Sequence, residues 1–251
     1  MRYRLGKKPA RAGAVTFKLA RYADPTALPP VPATFGHDGL IAAGNWLMLG
    51  NDVYGDCVWA GAAHETSMLT REAGNVVAFT DAAVLGDYAA VTGFDPQKPE
   101  TDQGTDMQVA ADYRRKTGIL DAGGKRHRIA AYLALEPGNL THLYQAAYLF
   151  GALGIGLALP VSAFDQTDHG QPWDIVAQSP NAGGHYVPLL GRRADGLHVV
   201  TWGAVQVMTE AFLQSYCDEA IAYVLQECLV AQKSPEGFDY AALVADLAAL
   251  G

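Results

Sequence analysis

Cys57 is the residue in this sequence best placed for nucleophilic chemistry. It follows Gly55-Asp56 and opens residues 57–72, which are rich in alanine and carry apolar side chains at helical spacing. We therefore predict a largely buried helix that begins at Cys57. The unpaired N–H groups and the positive end of the dipole at a helix start favour thiolate over thiol. Cys217 and Cys228 have no such setting, and we interpret both as small core side chains.

A cysteine nucleophile needs a base, and His185 is the candidate. It stands in the segment GGHYV, residues 183–187, where two glycines let the start of a predicted strand approach another surface. His64 follows Cys57 on the same predicted helix, about 10 Å along its axis, which is too far for direct proton transfer. We interpret His64 as a core or supporting histidine. The histidines show no metal-ligand spacing, so we expect neither a metal nor another cofactor.

The elements that must position these two side chains are helical in the first half of the chain and mostly β in the second half. Further helices are predicted at residues 81–93, 106–117, 140–149, 210–216 and 238–250, with Thr80, Thr141 and Thr209 as caps. Strands are predicted at residues 128–135, 154–159, 185–190, 197–202 and 220–225. The strand at 185–190 and the next one form a hairpin. The polar residues 162–182 are expected to be a loop that borders His185 and sets entry to the site. This order predicts an α+β fold with two lobes.

The domain organisation follows from the same pattern. Residues 1–47 are interpreted as a basic arm and a proline-rich strap. Residues 48–251 are interpreted as one domain, with a helical lobe at about 48–125, a β lobe at about 126–230 and a C-terminal helix at 236–250.

The basic arm contrasts with the acidic remainder of the chain. Residues 1–21 contain no acid, whereas the whole chain has a net charge of −8. The simplest interpretation is a solvated or loosely docked segment; the alternatives are an arm that binds an acidic surface of its own chain or of a protein partner through residues 1–36, and an organelle-targeting peptide. The basic side chains are Arg2, Arg4, Lys7, Lys8, Arg11, Lys18 and Arg21.

Composition excludes several classes of protein. The acidic balance argues against nucleic acid as a partner, except through the arm. No apolar run is long enough for a signal-peptide core or an unbroken membrane span. Three cysteines are too few, and odd in number, for a disulfide framework. We therefore expect a protein of the cytoplasm that does not bind membranes.

From Asn51 onward the sequence resembles the papain-like cysteine peptidases, in the same order over roughly residues 48–230. Residues 51–57 (NDVYGDC) look like the family's approach to its nucleophile. Asn51 stands where the family places a glutamine whose side-chain amide helps to form the oxyanion hole. The interval from Cys57 to His185 is close to the roughly 130–150 residues found in papain-type enzymes.

Later segments extend the resemblance. Residues 104–120 are similar to the family's glycine loop and the helix that ends in a Tyr-Gly-Ile-like stop, and residues 140–159 look like the helix and strand that lead into the β lobe. The pair Trp202-Gly203 closes the strand after the histidine strand, as in the family. The resemblance implies a papain-like two-lobed fold in which Cys57 is the nucleophile and His185 the base, with Asn51 as an oxyanion donor.

The sequence also departs from the family pattern. Val200 stands where the family has the asparagine that orients the histidine. The alternative is that Thr201 takes this place by a one-residue slip, although strand alternation is expected to turn Thr201 to the opposite face. Asp56 precedes the nucleophile, and its charge is expected to raise the pKa of the Cys57 thiol. About 50 residues precede Cys57, and they do not look like a helical inhibitory prodomain.

Two functions are compatible with these residues. The first is a cysteine-dependent acyl-transfer hydrolase, a peptidase or amidase, acting on a peptide or amide substrate. The second is a catalytically weak or inactive protein that reuses the fold for structure or binding, associated with a phage or prophage and assembled through its arm, in which case it would be found in the virion. Transglutaminase-like and thioesterase chemistry on the same fold also remain open.

Overall fold

The computed structural model describes residues 3–11, 18–24, 28–225 and 239–248. Its helices are α1 (Leu19–Tyr22), α2 (Cys57–Glu72), α3 (Asp81–Thr92), α4 (Met107–Lys116), α5 (Leu140–Phe150), α6 (Ser162–Asp168), α7 (Glu210–Tyr216) and α8 (Tyr240–Ala248). Short 3-10 helices span Asp38–Leu40 and Pro99–Thr101. Within the described ranges, no helix has both the length and the apolar character needed to cross a membrane.

The described ranges contain nine strands: β1 (Phe35–Gly36), β2 (Ile119–Leu120), β3 (Arg126–His127), β4 (Ile129–Leu135), β5 (Leu153–Pro160), β6 (Asn181–Arg193), β7 (Gly196–Thr201), β8 (Ala204–Met208) and β9 (Cys217–Leu225). The main sheet is antiparallel in the order β4-β9-β5-β6-β7-β8, with β1 paired to the far end of β6. Helices α2, α3 and α4 pack on one another, and α2 lies against β6. The predicted α+β, two-lobed fold is confirmed.

Side-chain caps explain where several helices begin. Thr80, Asp106 and Thr209 each accept a backbone N–H from the first turn of α3, α4 and α7. The helix α5 differs from the prediction, because Asn139 caps it rather than Thr141. The asparagine lies one residue before the helix, where its side-chain oxygen reaches the N–H of the first turn.

Several elements were not expected from the sequence: α1, α6, β1, β2, β3, β8 and the two 3-10 helices. Residues 162–182 are not a continuous loop, since α6 occupies their first part. Strand β8 forms the sheet edge beside β7, and β1 lies within the proline-rich strap. Part of the strap is therefore a sheet element, paired with β6 through Phe35 opposite Arg192. The predicted terminal helix overlaps α8, while residue 238 and residues 249–250 lie outside the described ranges.

A buried charged network joins the helical lobe to the sheet. The Arg114 guanidinium on α4 donates to the Glu65 carboxylate on α2 at 2.7 Å, and both side chains are at most 4% exposed. The Tyr186 hydroxyl on β6 donates to the other Glu65 oxygen, and Arg114 lies 4.0 Å from the ring centroid of Tyr223 on β9. Four elements are thus fixed by one carboxylate and one guanidinium.

We expect Glu65→Ala to lower the free energy of unfolding by about 3–5 kcal/mol, because Arg114 would then be a buried charge with no counterion. Denaturant unfolding followed by circular dichroism measures this loss. Lys18→Ala is the control, since the Lys18–Glu136 pair is more than half exposed and its removal should cost about 1 kcal/mol or less. Equal losses in the two variants would contradict the role assigned to the network.

Candidate active site

Cys57 lies at the first residue of α2, as the sequence predicts, and its side chain is buried. Its Sγ accepts the backbone N–H of Tyr186 on β6 at 3.4 Å. Because Tyr186 directly follows His185, the thiol lies against the backbone of the histidine strand at the junction between α2 and the sheet. Within the described residues, Cys57 Sγ and the His185 ring form no hydrogen bond with each other.

The imidazole of His185 is held on three sides. Its Nε2 lies 2.7 Å from the Thr201 hydroxyl. Its ring stacks on Trp202, with centroids 4.6 Å apart and an angle of 21° between planes, and the edge of the Trp173 ring lies near it. The other ring nitrogen, Nδ1, is buried and has no hydrogen-bond partner among the described residues.

Thr201, not Val200, meets the imidazole, as in the alternative of a one-residue slip. The sheet register explains why the expectation from strand alternation was wrong. Val199 on β7 pairs directly with Leu189 on β6. Side chains at every second position of a strand share a face of the sheet. Thr201, two residues after Val199, therefore lies on the same face as His185, four residues before Leu189. Val200 lies on the opposite face. The alternation that was expected to turn Thr201 away instead turns it towards the histidine.

Trp202 reaches its place through a tight turn. Thr201 pairs with Ala204, so Trp202-Gly203 is a two-residue hairpin between β7 and β8. Both turn residues have positive φ, 47° and 76°, as a type I′ turn requires. Glycine adopts this conformation readily, whereas tryptophan is strained in it. That strain coincides with the stacking of Trp202 on the catalytic candidate His185.

Asn51 lies in the turn before α2, and its side-chain amide already forms one hydrogen bond there. Its Nδ2 donates to the backbone oxygen of Tyr54 at 3.0 Å. The same turn is held by Asp102, whose carboxylate accepts the N–H of Gly55 at 3.0 Å and the hydroxyl of Tyr88 at 2.6 Å. Sequence reasoning missed Asp102, which lies far along the chain. The oxyanion role of Asn51 stays a prediction.

Asp56 is completely buried immediately before Cys57. Burial raises the pKa of its carboxyl well above the ordinary value. The expected effect of its charge on the thiol is therefore secondary: burial is the main cause that raises the pKa of Cys57 to about 12, and Asp56 adds to it. His64 is buried as well, with Nε2 bonded to the oxygen of Leu47, in agreement with its interpretation as a core histidine.

Residues 3–11 run between the two lobes, and we call them the cleft segment. On the helical side, the N–H of Thr105 donates to the Gly6 oxygen at 2.7 Å. On the sheet side, the N–H of Lys7 donates to the Gly184 oxygen at 3.0 Å. The segment is thus an extended chain bonded to both walls of the cleft, one residue away from His185 on the sheet side.

Aromatic contacts fix the start of the cleft segment. Tyr3 stacks on Trp202 with centroids 4.4 Å apart, on which His185 also stacks. The Tyr3 hydroxyl donates to Asp168 at 2.7 Å, and the indole N–H of Trp202 donates to the Arg4 oxygen at 3.3 Å. The basic arm is therefore docked on its own chain over these residues, rather than solvated, and it covers the candidate site.

The covered site holds its two reactive groups uncharged. Burial lowers the pKa of His185 to about 3 and raises that of Cys57 to about 12. At neutral pH the pair is a thiol and a neutral imidazole rather than a thiolate and an imidazolium. A backbone hydrogen bond from Gly6 favours the thiolate but is outweighed by burial.

Comparison with solved structures finds the same architecture in cysteine proteases. Xylellain, a cysteine protease from Xylella fastidiosa, matches with a TM-score of 0.65 at 11% identity, over 89% of this chain and 96% of that one. The chain has a papain-like fold. Procathepsin B S9 from Trypanosoma congolense matches with a TM-score of 0.58 at 12% identity, over 89% and 87% of the two chains.

A cysteine protease from Carica candamarcensis, in complex with E-64, matches with a TM-score of 0.54 at 12% identity, over 77% of this chain and 99% of that one. No family model and no curated protein matches the sequence. At such identities the likeness establishes the fold, and the chemistry has to be argued from the site.

We expect Gly6→Ala to displace the cleft segment. A Cβ at Gly6 would lie 1.7 Å from the Gly55 oxygen, which is backbone and cannot yield. Alkylation of Cys57 by iodoacetamide, followed by peptide mass spectrometry, should speed up at least about tenfold at neutral pH, because exposure lets the thiol ionise more easily. Gly86→Ala on the exposed face of α3, where a methyl meets open space, is the control. An unchanged rate in a folded Gly6→Ala protein would contradict the covering role.

The pH dependence of His185 follows from its burial. Its folded pKa of about 3 lies below the ordinary 6.5, so the neutral ring contributes stability above about pH 6.5 that is lost as the pH falls towards 3. We expect NMR of the His185 ring to show no protonation from about pH 8 to 5, and its titration to move up towards 6.5 in Gly6→Ala. Ordinary titration near 6.5 in the unaltered chain would contradict the covered state.

Proposed function

We propose that the protein is a cysteine-dependent acyl-transfer hydrolase, a peptidase or amidase, whose cleft is covered here by its own residues 3–11. The observation that carries the proposal is the restrained imidazole of His185, bonded by Thr201 at Nε2, stacked on Trp202, and adjacent through Tyr186 to Cys57. A helix start, an oriented histidine and an open Nδ1 are the parts that thiol catalysis requires.

The reaction uses the two nitrogens of His185 differently. With hydrogen on Nε2, donated to Thr201, Nδ1 carries the lone pair and takes the proton of Cys57 as the sulfur attacks the substrate carbonyl carbon. The imidazolium returns that proton to the leaving amine when the C–N bond breaks, which leaves a thioester. Water, deprotonated at Nδ1, then attacks the thioester and releases the acid, and the proton goes back to the sulfur.

The start of α2 supplies the stabilisation of the oxyanion. The first N–H groups of a helix have no acceptor within it, and the N–H of Cys57 is one of them. The Asn51 amide has two hydrogens, and the bond to Tyr54 uses one. A side-chain hydrogen bond from Asn51 also lowers the pKa of Asp56, against the larger raising effect of burial. We assign the second amide hydrogen to the oxyanion, to which it turns from Asp56 when the substrate is bound.

The alternative is a structural or binding protein of phage or prophage type that keeps the fold without turnover. The observation that favours it is the filled cleft with an uncharged thiol and imidazole. The two functions differ in what happens when the cleft segment leaves. An enzyme gains a reactive thiol and hydrolyses peptides, whereas a structural protein merely exposes an ordinary cysteine.

We expect Gly6→Ala to hydrolyse peptides from a mixed library, with mass spectrometry of the products as the readout. Cys57→Ser and His185→Ala in that background should reduce cleavage at least about a hundredfold, because each removes a partner in proton transfer. His142→Ala on α5, away from the cleft, is the matched histidine control. Absence of cleavage, together with alkylation of Cys57 no faster than that of an unfolded cysteine, would favour the structural alternative.

Thr201 gives a finer test of the same site. Thr201→Val keeps the shape but removes the hydroxyl that fixes the tautomer, so kcat should fall about 10–100-fold with little change in KM. Thr201→Ser should restore most of the rate because it restores the hydroxyl. Equal activity of the valine and serine variants would show that His185 needs no orienting partner.

A further inference from the structure

The side chain of Lys7 fills a closed pocket beside the candidate active site. Its side chain is fully buried, and Nζ lies 2.9 Å from an oxygen of Asp218 and 3.7 Å from one of Glu219. A third contact, of 3.1 Å, goes to the backbone oxygen of Lys8. Because an ammonium group is costly to bury without counterions, this pocket is chemically suited to a cation.

The walls of the pocket suit a long unbranched side chain. A Cβ on Gly156 of β5 would lie 2.1 Å from Cε of Lys7 and 2.9 Å from Sδ of Met107 at the start of α4. The groove therefore exists because residue 156 has no side chain. Its apolar walls receive the methylene stem, while the two carboxylates of β9 receive the charge.

The backbone around the pocket offers hydrogen bonds that any extended peptide can form. Thr105 donates its N–H to the Gly6 oxygen and accepts the N–H of Lys8, and Gly184 accepts the N–H of Lys7. None of these bonds depends on the side chains of the cleft segment. Main-chain bonds of this kind give affinity, and the side-chain pocket gives specificity.

We propose that the pocket of Gly156, Met107, Asp218 and Glu219 is a recognition subsite for a lysine or arginine side chain of a peptide substrate, occupied by Lys7 in the covered chain. The inference rests on the proposed function, in which a peptide takes the place of the cleft segment. Gly6, the residue before Lys7, packs against the backbone of Gly55, two residues before Cys57, since a Cβ on Gly6 would lie 1.7 Å from the Gly55 oxygen. The basic side chain is therefore recognised close to the bond that Cys57 attacks.

Binding is measured on the full chain carrying Gly6→Ala, to vacate the cleft, and Cys57→Ala, to prevent turnover. The probe is a fluorescent peptide with the sequence of residues 3–11, YRLGKKPAR, and its anisotropy reports binding. Norleucine in place of the lysine at position 7 should weaken binding at least about tenfold, because it leaves Asp218 and Glu219 without a cation. Norleucine at position 8 has the same net charge and is the matched control, with less than about a threefold effect.

The acidic residues are tested from the protein side. Asp218→Asn with Glu219→Gln should abolish the difference between the two norleucine peptides. Glu210→Gln, on α7 beside Arg192 at the other end of β6, should leave that difference unchanged. Equal binding of the peptides to the unaltered pocket would overturn the inference. If Gly6→Ala fails to fold, Lys7→Ala, which removes the occupant itself, takes its place in the same assay.

Cleavage separates this inference from the proposed function. Folded Gly6→Ala protein should cleave library peptides with lysine or arginine at one fixed position at least about tenfold faster, in kcat/KM, than those with norleucine. Cleavage without that preference overturns the inference and leaves the proposed function standing. Position-dependent binding of lysine without any cleavage overturns the proposed function and leaves the pocket as a site for basic side chains.

Discussion

The close approach of α2 to β6 is the constraint on which the site depends. Gly61 makes it possible, because a Cβ there would lie 2.4 Å from the Tyr186 ring. The same tyrosine donates its backbone N–H to Cys57 and its hydroxyl to Glu65. Tyr186 of β6 therefore fixes the position of the first turn of α2 through Cys57 and the position of its third turn through Glu65. The Cys57 thiol can contact β6 only because Gly61 has no side chain and leaves room for the Tyr186 ring between α2 and the sheet.

Much of the fold could be predicted from the sequence, because local signals decide it. The helix beginning at Cys57 and those capped at Thr80 and Thr209 follow from composition and capping residues that lie within a few positions of each other. The short strand β1 and the edge strand β8 could not be predicted in this way. Their formation depends on partners in β6 and β7, and two to five residues carry too little periodicity of their own.

The site, like the fold, could be predicted only where local sequence decides it. Cys57 and His185 are visible as residue types in suitable local settings, and the Cys57 thiol accepts the backbone N–H of Tyr186, the residue after His185. Thr201 was assigned to the wrong face, because the face of a strand depends on its register with a neighbour and not on a motif. Lys7 was seen only as one charge of a basic arm. Its acidic pocket joins residues more than two hundred positions apart, which no local pattern reveals.

The cleft segment is also a ligand that cannot diffuse away. It belongs to the same chain as α1, which is anchored to the sheet. Lys18, just before α1, forms a backbone β-bridge with Ala134 of β4, and Leu19 is buried. A ligand tethered over such a short span is present at an effective concentration in the millimolar range. Any peptide that enters the cleft must outcompete that local concentration, so occupancy of the site depends on the amount of competing peptide. Cleavage of the chain between the segment and α1 would turn the same contacts into an ordinary bimolecular equilibrium, in which dilution alone empties the cleft.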